Sequence, residues 1–114
     1  MDYPIEVDLW YYFLMMTQNR DEILNVIGQN KEALQSFGVR RIGLFGSFAR
    51  NQACASSDLD ILVELEKKTF DAYMGLKSFL EDLFHRRVDL VLSDSLKPRL
   101  RQSVTQEVIY AAGL

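Results

Sequence analysis

Residues 42–63 read IGLFGSFARNQACASSDLDILV, and this stretch decides the fold. It begins inside a β-type apolar run, Val39 to Phe45, which breaks at Gly46-Ser47 and leads into a short helix signal. A second β-type run, Leu59 to Leu65, follows. Backbone N–H groups at a strand-to-helix turn point outward and receive anions. Gly46 admits close approach of a phosphate, Ser47 adds a hydroxyl donor, and Arg50, one turn on, offers a planar fork of donors. This is the composition of a phosphate cradle. It is not a Walker loop, because no Gly-Lys-Ser/Thr follows.

Ten residues after Gly46-Ser47 come Asp58 and Asp60. On a strand, residues two apart leave the same face, while Leu59, Ile61 and Val63 leave the other and can be core. Two neighbouring carboxylates repel unless a cation lies between them. An all-oxygen donor set with few other ligands suits Mg²⁺, which takes one or two carboxylates plus substrate phosphates. Asp89 lies inside a third apolar run, Val88 to Leu92, where a carboxylate is costly without a partner. If that strand lies beside the second, Asp89 completes a three-carboxylate cluster able to hold two metal ions. With nine aspartates in 114 residues, chance places an Asp-x-Asp about 0.7 times, so the pair alone decides nothing. Requiring Gly-Ser ten residues upstream lowers that to roughly 0.002.

Working outward, Asn19 with Glu22 forms a capping-box signal, and Ile23, Leu24, Ile27, Leu34 and Phe37 continue at helical spacing to Gly38. The pattern predicts a helix over 20–37. A second helix opens at Thr69 or Phe70, with Phe70, Tyr73, Leu76, Leu80, Leu83 and Phe84 on one face. Phe79 is also read as core. Pro98 starts a last helix, to about 104, and Val108 to Tyr110 form a terminal strand or extend that helix. The order predicts an α+β fold, a small mixed β-sheet backed by helices, in one domain over 19–114. Residues 1–18 form an N-terminal arm. Its apolar run, Leu9 to Met16 with Trp10, Tyr11 and Tyr12, reads equally as a partner-facing segment or as an upstream extension.

Composition narrows the function. Sixteen acids against thirteen bases give a net charge of −3, which argues against an extended nucleic-acid surface. The apolar run at Leu9 to Met16 is too short to span a bilayer, and its flanks are acidic. The lone Cys54 allows neither an internal disulfide nor a Cys-based zinc site, and is read as incidental. A cytoplasmic setting follows as the expectation. The lone His85, beside Arg86 and Arg87, reads as a solvated helix end.

Gly46-Ser47, ten residues, then Asp58-x-Asp60 and an apolar strand resembles the nucleotidyltransferase superfamily that includes DNA polymerase beta. Leu44 to Arg50, Arg87 to Val91 and Leu96-Lys97-Pro98 are similar to its minimal nucleotidyltransferase (MNT) branch, whose members of this size pair with HEPN-domain toxins as antitoxins. The resemblance covers about residues 20–110. It implies a nucleotidyltransferase-like single domain in which Asp58, Asp60 and Asp89 are catalytic metal ligands for two Mg²⁺ ions, while Gly46, Ser47 and Arg50 hold the triphosphate of ATP. It implies transfer of AMP to a hydroxyl of the partner toxin, a tyrosine, within a hetero-oligomer. The family usually has Gly at the position of Asn51, and Asn tolerates the left-handed backbone such a turn needs. Two other readings of the same motif remain: neutralisation of a partner by contact alone, and transfer to a small molecule as antibiotic-modifying relatives perform.

Overall fold

The computed structural model describes residues 19–53 and 57–112. Helix α1 (Arg20–Gln29) starts at the expected capping box. Glu22 N donates to Asn19 Oδ1 at 3.0 Å, and Asn19 N donates to Glu22 Oε1 at 3.1 Å. Its Ile23 and Ile27 are fully buried, each contributing roughly 1.5–3 kcal/mol. The single helix expected over 20–37 is instead two, because the chain leaves helical geometry at Asn30 (φ −107°, ψ 23°) before α2 (Lys31–Ser36). Asn30 Nδ2 donates to Val26 O at 2.9 Å. A short amide side chain that satisfies the backbone of the preceding turn competes with helix propagation.

Strand β1 (Val39–Phe45) leads into helix α3 (Gly46–Ala49), and β2 (Leu59–Leu65) returns antiparallel with Phe45 opposite Asp60. The parallel strand β3 (Val88–Leu92) lies beside β2. A parallel pair needs a crossover, here supplied by α4 (Phe70–Phe84). After a one-turn 3₁₀ segment (Ser93–Ser95), α5 (Pro98–Glu107) extends three residues past the expected end. Then β4 (Ile109–Tyr110) adds antiparallel to β1, which decides for a terminal strand. The sheet order is β3-β2-β1-β4. The mixed sheet backed by helices confirms the α+β class.

The core lies on one face of that sheet. Ile42 and Leu44 of β1 and Leu59, Ile61 and Val63 of β2 are buried there with Ile23 and Ile27 of α1 and Leu76, Leu80 and Phe84 of α4. Phe79 packs, partly buried, on Phe37 with ring centroids 5.4 Å apart. The core face expected for α4 is corrected at Phe70, which is 76% exposed. It stands at the first helical position and borders an open groove lined by Tyr73, Leu90 and Leu92 rather than filling the core. Tyr73 Oη closes that end by donating to Leu90 O at 2.6 Å. His85 ends α4 with a left-handed backbone (φ 53°) and is exposed, as the solvated helix end required. Among the described residues no helix is long and apolar enough to cross a membrane. The N-terminal arm and Cys54 lie outside the described residues.

Candidate active site

The β2–β3 register pairs Asp60 with Asp89 and Leu59 with Val88. Neighbouring strands stand about 4.8 Å apart, so paired residues leave the same face side by side. Asp60 is half-buried and Asp89 exposed, while Leu59, Val88 and Leu90 turn into the core. Asp58 is exposed and stands one residue ahead of β2 rather than within it. The strand adjacency on which the third carboxylate depended is therefore present.

The turn after β1 brings the cradle residues to the same place. Gly46 has φ +73°, and a Cβ built there would overlap Asp60 Oδ2 and lie 2.9 Å from Asp60 Cγ. Glycine is thus required twice, by the backbone and by the carboxylate against it. The close approach to Gly46 expected of a phosphate is made in this structure by the Asp60 carboxylate. Gly46→Ala should cost roughly 1–2 kcal/mol through backbone strain and also push the Asp60 carboxylate aside. The expected outcome is a lowered melting temperature and a larger loss of turnover than the remaining folded fraction explains, read by thermal melts beside initial rates.

Ser47 is the half-buried second residue of α3, and Phe48 and Ala49 anchor that helix in the core. Asn51 takes the left-handed conformation (φ 57°) that its turn was expected to need. Arg50 follows α3 and is ion-paired with Glu107, the last residue of α5, with Nη1 2.7 Å from Oε1. Gly46 N donates to the same Oε1 at 3.1 Å.

Electrostatics converge on Asp60. Its carboxyl is raised from 3.8 to about 6, first by burial and then by the charges of Asp89 and Asp58, with Arg50 opposing and Glu107 adding. Among the described residues, no three histidine, cysteine or acidic side chains already form a ready metal cage. The donor chemistry nonetheless suits a hard divalent cation. Asp60 and Asp89 are adjacent in register, Asp58 stands just ahead of the same strand, and the charges of Asp89 and Asp58 both disfavour ionised Asp60. Mg²⁺ relieves such repulsion and completes its shell with phosphates and water.

Three contributors escaped the sequence reading. Arg86 Nη1 donates to Ser57 O at 3.0 Å, and its guanidinium carbon lies 4.8 Å from the Phe48 ring centroid. It thereby ties the approach to Asp58 onto α3. Val88 N donates to Glu81 Oε2 at 3.0 Å, which fixes the start of β3 one residue before Asp89. Glu107 reaches the cradle across 57 residues of chain. Glu107 and Glu81 each leave a sequence signal, since an acid in the last turn of a helix opposes the helix dipole and calls for a partner; Arg86 leaves none.

A family model described as Polymerase beta, Nucleotidyltransferase matches residues 22–112. The protein adenylyltransferase MntA of Thermococcus cleftensis is 41% identical over 92 residues, covering 79% of this chain and 93% of that protein. A solved structure assigned as a minimal nucleotidyltransferase is 38% identical, with TM-score 0.64 over 82% of this chain and 96% of its own. A toxin-antitoxin crystal structure with AMP-PNP is 26% identical, with TM-score 0.62 over 85% of this chain and 75% of its own.

Proposed function

This chain belongs to the polymerase beta nucleotidyltransferase family, and from that premise we propose that it transfers AMP from ATP to a tyrosine hydroxyl of a HEPN-type toxin, acting as its antitoxin in the cytoplasm. The observation on which this rests most is the register that sets Asp60 beside Asp89 on a face shared with Gly46 and Arg50. The kinship with a protein adenylyltransferase supports the AMP donor and the protein acceptor. The likeness to a toxin-antitoxin complex with AMP-PNP supports the nucleotide and the kind of partner.

In this reading residues 19–114 are the catalytic domain. Asp58, Asp60 and Asp89 would hold two Mg²⁺ ions, which neutralise charge on the phosphates when bound. Gly46, Ser47 and Arg50 receive the triphosphate and hold the α-phosphorus in line with the acceptor. Asp89, the most exposed position of its strand, orients the acceptor hydroxyl and takes its proton. The acceptor oxygen bonds to the α-phosphorus, the bond to the bridging oxygen breaks, and pyrophosphate leaves against Ser47 and Arg50. Most of the acceleration is positioning and charge stabilisation.

Label transfer tests it. The protein is incubated with α-labelled ATP, Mg²⁺ and a cognate HEPN protein, beside Asp58→Ala/Asp60→Ala. Label on the HEPN protein that is absent with the double variant is the expected result. No label in either sample, despite a stable complex, would replace transfer with neutralisation by contact.

A further inference from the structure

Helix α5 ends on Glu107, with no base in its last turn to offset the acid. The carboxylate finds its partners outside the helix. Its Oε1 accepts from Gly46 N at 3.1 Å and from Arg50 Nη1 at 2.7 Å, and its Oε2 lies 3.3 Å from the same Nη1. Arg50 Nε is engaged in turn by Gln52 Oε1 at 3.0 Å. We propose that Glu107 is an internal anion that occupies two of the phosphate donors, Gly46 N and Arg50 Nη1, and is displaced from them by the incoming nucleotide, so that it sets the affinity for ATP.

The inference rests on the reading that Gly46 and Arg50 receive the triphosphate. A phosphate oxygen and a carboxylate oxygen make the same charge-assisted bonds to an N–H and a guanidinium. One oxygen of Glu107 already holds both donors, so a phosphate oxygen binds that pair only after the carboxylate leaves. A chain that spends nine-tenths of its time with Glu107 in place shows an apparent dissociation constant about tenfold higher than its open form. Glu107 is thus a latch carried by α5, and the nucleotide is its key.

The test measures binding of a non-hydrolysable ATP analogue with Mg²⁺ to the full chain by titration calorimetry. Glu107→Gln, Glu107→Asp and Arg50→Ala are compared with the unaltered protein, with thermal melts on each. Glu107→Gln should bind roughly tenfold tighter. Glu107→Asp keeps the charge but shortens the arm, so it should also tighten binding, which separates competition for the donors from simple repulsion. Arg50→Ala should weaken binding. In the unaltered protein, the Gly46 amide resonance should move on adding the analogue. Glu107 variants at or below parental affinity, with Arg50→Ala weakened, would overturn the latch and make Glu107 an orienting partner of Arg50. Tightening by Gln but not by Asp would also overturn it, in favour of repulsion. Unchanged affinity in Arg50→Ala would remove the phosphate reading itself, and the latch with it.

Discussion

Asp60→Asn should abolish nucleotidyl transfer, by about 10³-fold or more, while the chain stays folded. The amide keeps the size of the carboxyl, so Gly46 still meets a group of the same shape. It loses the negative charge, and with it the attraction for a divalent cation at the centre of the cluster. Asp60 carries more of this effect than Asp58. It is held between β1 and β3 by register, opposite Phe45 on one side and Asp89 on the other. Asp58 lies ahead of the strand and is exposed. Asp89→Asn should fall in the range of about 10²–10⁴ expected for loss of a positioned proton acceptor. Single-turnover label transfer at saturating ATP reads Asp60→Asn, Asp89→Asn and, for comparison, Asp58→Asn. An Asp60→Asn protein within tenfold of the parent would show that this carboxylate is not at the reacting centre.

Most of the fold was legible because its signals are local. The capping box at Asn19 and Glu22, the period-two run of β2 and the long apolar stripe of α4 each act within a few residues. Asp58, Asp60, Gly46 and Arg50 were legible for the same reason, since they sit on one strand-turn-strand unit. Asp89 needed one tertiary assumption, that β3 lies beside β2, and the sheet order supplies it. What escaped is tertiary in origin. The break at Asn30 is a competition between a side-chain amide and the helix, which apolar spacing does not register. Phe70 fits the helical period, yet it lies where the helix begins beyond the packed core. Arg86 and Glu81 act on backbone atoms of other elements, and Glu107 meets Arg50 from the opposite end of the chain. No periodicity encodes such contacts.

Asp60→Asn should also make the metal-free protein more stable than its parent, and only above about pH 5. Asp60 titrates near 6 in the folded chain against 3.8 for the unperturbed group, chiefly from burial and then from Asp89 and Asp58. A value raised by folding means that the folded chain holds its proton more tightly than the unfolded one. Its contribution to stability is fully present below about pH 4 and is lost as pH rises through about 6, because in that window the folded state binds more protons than the unfolded. The raised value corresponds to about 3 kcal/mol at most, and solvent screening of a partly exposed carboxyl reduces it to the order of 1–2 kcal/mol. Asparagine carries no such penalty. Melts at about pH 4 should therefore nearly coincide, whereas at about pH 7.5 the variant should melt higher by several degrees, at about 4–8 °C per kcal/mol for a domain near this size. Added Mg²⁺ should raise the parent's melting temperature at the higher pH and raise that of the variant far less, since the ion relieves a repulsion that asparagine has already removed. A gap that stays constant from about pH 4 to 7.5 would show that Asp60 is not the strained group. The expected gap, together with lost transfer, would show that this chain keeps a destabilising carboxylate because its chemistry requires one.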